Sequence, residues 1–172
     1  MKNRKVVAFI LTLSLVFSAF SASFAATEVT SARTDPVAFS DVADHWGSAA
    51  ILKWAGYGII NGYEGLFRPD DPITRGEMAV ILDNMMDYQK VAPNTFADLQ
   101  AGQFYTEAVL KANAAGIMKG DGVIVRPTDK ITKEEAAIMM SRAFAVSEAN
   151  STKAFLDAGT VSDWAKGAVF GM

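Results

Sequence analysis

Two cations, Arg75 and Lys133, occupy matching places where a cation is unfavourable. Each directly follows a threonine and comes two residues before a glutamate. A threonine followed three residues later by a glutamate is a capping box, which begins a helix. The two boxes are Thr74 with Glu77 and Thr132 with Glu135. Both cations therefore lie at a first helical position, where the helix dipole opposes them by a few tenths to about 1 kcal/mol.

A cation beside the unpaired backbone N–H groups of a helix start can bind an anion such as a carboxylate or a phosphate. Because the same local rule is broken in two places, one interpretation is that Arg75 binds an anionic ligand. The other is that Arg75 pairs with a neighbouring carboxylate such as Asp70 or Asp71. The residue types alone leave both open. If Arg75 binds a ligand, Arg75→Ala should leave the stability unchanged or slightly raised, because it removes a cation that opposes the helix dipole. If Arg75 pairs with a carboxylate, the same change should lower the thermal stability.

Other side chains allow further chemistry. Trp46 could be a platform for a sugar ring or part of the apolar face of its helix. Asp41 and Asp44 could bind calcium, but they lack the spacing of a known calcium loop, and capping of the nearby helix is the simpler interpretation. The neighbouring acids Asp70 and Asp71 could suggest glycoside hydrolysis, although no geometry follows from their types.

Composition excludes several classes of site. The chain has 172 residues, no cysteine and one histidine. These counts exclude disulfide frameworks, thiolate zinc sites and cysteine nucleophiles, and make a histidine metal cluster or a Ser-His-Asp triad a poor interpretation. We therefore predict no metal and no cofactor. That the chain is not an enzyme is a separate prediction, because a catalytic pair need not recur along the chain, whereas the groove of a multivalent anchor should.

The first 25 residues have the pattern of a secretory signal peptide. Lys2, Arg4 and Lys5 precede an apolar run that is too short for a transmembrane helix, and small residues follow up to Ala25. Cleavage after Ala25 leaves 13 basic and 19 acidic residues, a net charge of −6. An acidic exported chain is a poor candidate for binding nucleic acid, and we expect no membrane insertion after cleavage.

The rest of the chain repeats itself with a period of 58 residues. Glycines, a proline, an arginine and an isoleucine recur at that spacing. The pairs are Gly58 and Gly116, Gly62 and Gly120, Arg68 and Arg126, Pro69 and Pro127, and Ile73 and Ile131. A third copy opens at Phe155, and its Trp164 lies 118 residues after Trp46. This pattern indicates two full repeats and the beginning of a third.

Each repeat predicts a helix, a loop and a second helix, and thus an all-α fold. In repeat 1, Trp46, Ala50, Ile51 and Trp54 have the spacing of one helical face, and Gly58 can end that helix in a left-handed cap. A second apolar stripe follows each capping box. Its members are Met78, Ile81, Leu82, Met85 and Met86 in repeat 1, and Met139, Met140, Ala143 and Phe144 in repeat 2.

Together these motifs resemble an S-layer homology domain. The resemblance is carried by Phe39-x-Asp41, Trp46, Gly58-Ile59-x-x-Gly62, Phe67-x-Pro69 and the box from Ile73 to Glu77. The second copy resembles it through Phe96-x-Asp98, Gly116-Ile117-x-x-Gly120, Arg126-Pro127 and the box from Ile131 to Glu135. The usual form of the box has an arginine and an alanine, so Lys133 and Gly76 depart from it.

The resemblance implies three prongs around a central bundle of second helices, with ligand grooves between the prongs. It also implies a secreted protein held non-covalently to the bacterial cell wall or surface layer through a secondary cell wall polymer with pyruvate ketals. Arg75 would then pair with the pyruvate carboxylate. The other expected groove residues are Asp41, Trp46, Gly62 and Tyr63, with Lys133, Asp98 and Gly120 in the second copy.

We divide the chain into a signal peptide (1–25), a linker (26–38), repeat 1 (39–92), repeat 2 (93–150) and the start of repeat 3 (151–172). The third copy lacks its loop, box and second helix, so we expect a truncated piece of a longer protein, with marginal stability or self-association. The alternatives to an anchor are a secreted glycan hydrolase that uses acids such as Asp41 and Asp71, and a nonfunctional remnant.

Overall fold

The computed structural model describes residues 37–147 and 156–172. Within these ranges it contains five α-helices and no β-strand, so the prediction of an all-α fold is confirmed. The helices are α1 (Ser48–Gly56), α2 (Arg75–Met86), α3 (Thr106–Ala114), α4 (Lys133–Ala143) and α5 (Lys166–Gly171), and a 3-10 turn (Ala158–Thr160) precedes α5. The predicted signal peptide, most of the linker and residues 151–155 of the third copy lie outside the described residues.

Both capping boxes form as predicted. The Glu77 amide donates to Thr74 Oγ1 over 3.2 Å, and the Thr74 amide donates to Glu77 Oε2 over 2.7 Å. Thr132 and Glu135 make the same reciprocal pair at 3.1 Å in each direction. These boxes satisfy backbone N–H groups that an isolated helix start would leave without partners, so they fix where α2 and α4 begin.

Each long second helix packs against the first helix of the next repeat. Helix α2 of repeat 1 contacts α3 of repeat 2, α4 of repeat 2 contacts α5 of the third copy, and α2 also contacts α4. Lys111 Nζ lies 3.1 Å from Asp83 Oδ2 and ties α3 to α2. Helix α1 contacts none of the other described helices. Each of these packed helix pairs therefore combines two repeats.

The main core lies between α2, α3 and the segments that flank them. Its largest fully buried side chains include Leu82, Val109, Ile117, Met118 and Val125. In α3, the counterparts Ala108 and Val109 of the face predicted for repeat 1 are buried, whereas Phe104, the counterpart of Trp46, precedes the helix and is exposed. The predicted face of α1 is wrong except for Ile51, because α1 begins only at Ser48 and no described helix covers it. Ile51 and Ala55 are its buried residues, whereas Trp46 and Trp54 are exposed.

The two repeats are also joined through their backbones at the start of α2. The Arg75 amide donates to the Asp129 carbonyl over 2.9 Å, and the Gly76 amide donates to the Pro127 carbonyl over 2.7 Å. The Ile131 amide returns a bond of 3.0 Å to the Ile73 carbonyl. The first capping box is therefore fixed against the loop of the second repeat.

In the part of the chain that the structure describes, no helix is both long enough and apolar enough to cross a membrane.

Candidate functional site

Two grooves lie between neighbouring repeats, and their linings correspond at a spacing of 58 residues. Groove 1 has a volume of about 650 Å³, and groove 2 has one of about 310 Å³. The lining of groove 1 includes Asn61, Gly62, Tyr63, Arg68, Glu77, Val80, Ile81, Asn84 and Phe104. The lining of groove 2 includes Lys119, Gly120, Asp121, Arg126, Glu135, Ile138, Met139, Arg142 and Trp164, together with Arg75 from the preceding repeat.

Arg75 reaches from the first capping box into groove 2. Its side chain is buried, with Nε donating to the Val125 carbonyl over 3.1 Å and Nη1 donating to Glu135 Oε1 over 2.8 Å. Its acidic partner is therefore the glutamate of the second capping box, and the suggested pairing with Asp70 or Asp71 is wrong. Nη2 donates to no atom of the described residues.

Glu135 is shared by two arginines and a helix cap. Its Oε1 atom also accepts from Arg126 Nη2 over 2.7 Å, while Oε2 accepts the Thr132 amide. Burial alone would raise the pKa of Glu135, but that amide and the charges of Arg75 and Arg126 outweigh burial, and the pKa lies below its usual value. Burial lowers the pKa of Arg75, and the Glu135 carboxylate opposes that shift. The cluster is thus a charged ion pair that joins two repeats.

The start of α2 does not offer the unpaired N–H groups that the sequence suggested. The amides of Arg75 and Gly76 already donate to carbonyls of the second repeat, and the Glu77 amide donates within the capping box. Any anion that Arg75 binds must therefore meet its guanidinium group rather than the helix start.

The departure from alanine at position 76 also has a reason. A Cβ there would lie 2.9 Å from both the Pro127 carbonyl oxygen and Cγ of Tyr105.

Asp41 and Asp98 hold the loops that line the grooves. The Asp41 carboxylate accepts the amides of Phe67 and Arg68 at 2.6–3.2 Å, and Asp98 accepts the amides of Val125 and Arg126. The Phe67 amide is the main cause that lowers the pKa of Asp41. Neither aspartate lines a groove.

The expectation that Asp41 and Asp44 cap the nearby helix is wrong. The N-cap of α1 is Gly47, and no side chain there accepts a capping hydrogen bond. In the described ranges, no group of three or more acidic or histidine side chains could hold a metal ion.

Gly62 and Gly120 make the tight turn at the rim of each groove. A Cβ at Gly62 would collide with the Leu66 carbonyl oxygen, and one at Gly120 would lie 2.5 Å from the Ile124 carbonyl oxygen. Gly120 also has a φ of +64°, which favours glycine. The next residue differs between the grooves, because Tyr63 is an exposed ring in groove 1, whereas the corresponding residue of groove 2 is an aspartate.

Trp46 and Lys133 lie outside both grooves. Trp46 is 93% exposed, so its interpretation as a core residue is wrong, and its ring lies 5.2 Å from that of His45. Lys133 is exposed and makes no ion pair with the described residues. Of the predicted residues, groove 2 therefore contains Arg75 and Gly120, and groove 1 contains Gly62 and Tyr63. The roles of all these residues as ligand contacts stay predictions.

Sequence reasoning missed Lys119, Arg126 and Arg142 as groove residues. The 58-residue spacing could have indicated Arg126, since Arg68 occupies the matching place in groove 1. No such signal existed for Lys119 and Arg142, because the residues at their matching places are asparagines.

Comparison with known proteins agrees with the repeat pattern. The family model of the S-layer homology domain matches residues 38–79 and 95–137. The chain is 32% identical over 170 residues to the S-layer protein sap of Bacillus anthracis, and the match covers 95% of this chain and 20% of that protein. It is 28% identical over 167 residues to the surface-layer 125 kDa protein of Lysinibacillus sphaericus, covering 96% of this chain and 14% of that protein.

The chain is also similar to an enzyme. It is 32% identical over 140 residues to the exoglucanase XynX of Acetivibrio thermocellus, and the match covers 77% of this chain and 13% of the exoglucanase. The chain thus spans a fifth or less of the length of each of these relatives. The similarity is to one part of proteins that are otherwise different.

Proposed function

The chain belongs to the S-layer homology domain family, and we propose that it holds a secreted protein non-covalently to the bacterial cell wall by binding an acidic wall glycan in groove 2. S-layer homology domains are cell-wall-binding modules, which supports the general assignment. The relatives named as S-layer and surface-layer proteins support a place at the bacterial surface. The glycan we propose is a secondary cell wall polymer with pyruvate ketals.

The charge of groove 2 is the observation that carries the proposal. Four cationic side chains and two acidic ones line it, and Trp164 presents a ring that is 60% exposed. An aromatic ring beside cations fits a sugar that carries a carboxylate, because the ring can cover an apolar sugar face while a guanidinium binds the anion. We assign the ligand carboxylate to Arg75 Nη2, which has no acceptor among the described residues.

We assign supporting roles to the other predicted residues. Gly120 allows the ligand to approach the loop backbone closely, and Asp98 holds that loop in place. In groove 1, Gly62 and Tyr63 would likewise meet the ligand, and Asp41 would hold their loop in place. Trp46 and Lys133, which the sequence predicted as contacts, line neither groove among the described residues, and binding in groove 2 gives them no role.

The test measures binding of the protein to purified cell wall sacculi before and after hydrofluoric acid, which removes phosphate-linked polymers. Arg75→Lys keeps the charge but has no counterpart of Nη2, so it loses the donor that we assign to the ligand carboxylate. We expect it to weaken binding by about ten- to a hundredfold, since charge-assisted hydrogen bonds contribute roughly 1.5–3 kcal/mol. Arg68→Lys in groove 1 is the matched control and should change binding little. Equal binding by both variants, or binding that survives the acid, would contradict the proposal.

The alternative of a glycan hydrolase is less well supported. Both carboxylate oxygens of Asp41 accept backbone amides, so this residue is not free to act as an acid or a nucleophile. The family that the chain matches is one of binding domains. Release of reducing sugar from sacculi by the purified chain would favour the hydrolase.

A further inference from the structure

The two grooves differ in charge at two matching positions. Asn61 and Asn84 line groove 1, and their counterparts 58 residues later in groove 2 are Lys119 and Arg142. Both substitutions replace a neutral amide by a cation. The difference therefore adds two positive charges to groove 2 alone.

The hydrogen bond made by Asn84 in groove 1 and by Arg142 in groove 2 does not require a cation. In groove 1, Asn84 Nδ2 donates to the Ile59 carbonyl over 3.1 Å. In groove 2, Arg142 Nη1 donates to the Ile117 carbonyl over 3.0 Å. Because Ile59 and Ile117 are themselves counterparts, an asparagine can make the same bond at the same place. The positive charge of Arg142 is additional to this bond.

The other charges of groove 2 already have partners. Arg75 and Arg126 share Glu135, and Arg126 also lies 3.7 Å from Asp129. The Asp121 carboxylate accepts the amides of two following residues, and these N–H groups lower its pKa. Among the described residues, no carboxylate lies within ion-pair distance of Lys119 or Arg142. The uncompensated positive charge of the groove therefore belongs to these two side chains.

We propose that Lys119 and Arg142 form a second anion-binding position in groove 2, so that this groove prefers a glycan with two anionic groups to one with a single carboxylate. The inference rests on the proposed function, in which Arg75 binds the first carboxylate. The second group is a carboxylate or a phosphate, both of which Lys and Arg bind. Groove 1, with amides at both positions, has no such preference.

Three synthetic probes test the proposal by titration calorimetry with the whole chain. The first is a methyl hexoside with one pyruvate ketal, the second carries a phosphate monoester in addition, and the third carries a second carboxylate. We expect the wild-type chain to bind at least one two-anion probe about tenfold more tightly than the first, since each exposed ion pair contributes up to about a few-fold in affinity. The probe that shows the preference identifies the second group.

The deciding variant is Lys119→Asn combined with Arg142→Asn, which gives groove 2 the residues of groove 1. It should lose the preference, so that its affinity for the two-anion probes falls to its affinity for the one-ketal probe. Lys53→Asn combined with Lys90→Asn removes two exposed charges outside both grooves and should keep the preference. If the double variant of groove 2 has a lowered melting temperature, Lys119→Asn alone replaces it in the test, because Lys119 is exposed and makes no ion pair with the described residues.

The results separate this inference from the proposed function. Loss of the preference in the groove 2 variant but not in the control supports the second anion position. An equal preference in all three proteins, or none in the wild type, overturns it and leaves the binding of a single carboxylate standing. A folded wild-type chain that binds none of the probes overturns the proposed function and the inference together.

Discussion

Groove 1 and groove 2 are formed by matching residues of two repeats, yet only groove 2 receives the capping-box arginine of the preceding repeat. Among the described residues, four cations line groove 2, whereas groove 1 is lined by one, Arg68, beside Asp71 and Glu77. Within the described residues, no third box supplies a cation to groove 1. The charge of a groove therefore depends on the neighbouring repeat as well as on its own motif.

The two capping-box glutamates show the same contrast. Glu77 and Glu135 both accept the amide of their threonine and so begin their helices alike. Glu135 in addition accepts from Arg75 and Arg126, whereas Glu77 forms no ion pair with the described residues. The motif therefore only caps a helix in repeat 1. In repeat 2 it caps a helix and also joins two repeats.

The largest effect on stability should follow from Arg75→Ala. Removal of one partner from a buried ion pair commonly costs 3–5 kcal/mol, and because Arg126 would still neutralise Glu135, we expect a loss of about 2–4 kcal/mol. This outcome is opposite to the one expected from the helix dipole alone. Chemical denaturation at neutral pH measures it. Arg68→Ala in groove 1 should lose less than about 0.5 kcal/mol, and equal losses would mean that the two grooves do not differ in this way.

The next effect concerns close packing at the repeat junction. Alanine favours a helix over glycine, but a Cβ at Gly76 would lie only 2.9 Å from the Pro127 carbonyl oxygen and the Tyr105 ring. We therefore expect Gly76→Ala to lower the free energy of unfolding by about 1–3 kcal/mol. Gly56→Ala in α1, where nothing lies within 4 Å, should raise it by up to about 1 kcal/mol. Thermal melts of both variants measure the two changes in stability. A more stable Gly76→Ala variant would contradict this close packing of α2 on the second repeat.

Local features of the fold were predictable because they depend on residues close in sequence. The capping boxes and the left-handed glycines Gly58 and Gly116 follow from spacing alone, and both form. The packing of each second helix on the next repeat could not be predicted, since it depends on contacts between distant segments. For the same reason the partner of Arg75 was sought at Asp70 or Asp71, whereas Glu135 lies 60 residues away in sequence.

Acid should reduce the contribution of the Glu135 cluster. Because the folded pKa of Glu135 lies below its ordinary value of 4.5, the stabilisation is fully present above that value and is lost as the pH falls through the folded pKa. Glu135→Gln removes the charge and leaves one acceptor oxygen, so the side chain can accept from the Thr132 amide or from the arginines but not from both. At pH 7 we expect it to lose about 1 kcal/mol relative to wild type, because hydrogen bonds to charged groups are the stronger ones.

The matched control for that experiment is Glu77→Gln, which should change the free energy of unfolding by less than about 0.5 kcal/mol. Denaturation at pH 7 and at pH 3 should show that the difference between wild type and Glu135→Gln is smaller in acid. A difference that stays constant with pH would mean that the charge of Glu135 does not stabilise the junction.

The smallest effects should come from two tryptophans that are counterparts in sequence but not in position. Trp164 lines groove 2, whereas Trp46 lines neither groove and is 93% exposed. Because both rings are largely exposed, Trp164→Ala and Trp46→Ala should each change stability by less than about 0.5 kcal/mol. Their binding to sacculi should differ. Loss of the Trp164 ring should weaken binding by roughly three- to tenfold, the size of one aromatic contact, and loss of the Trp46 ring should leave it unchanged. Equal weakening by both would mean that Trp46 also contacts the glycan, and that the charge of groove 2 is not what selects the binding site.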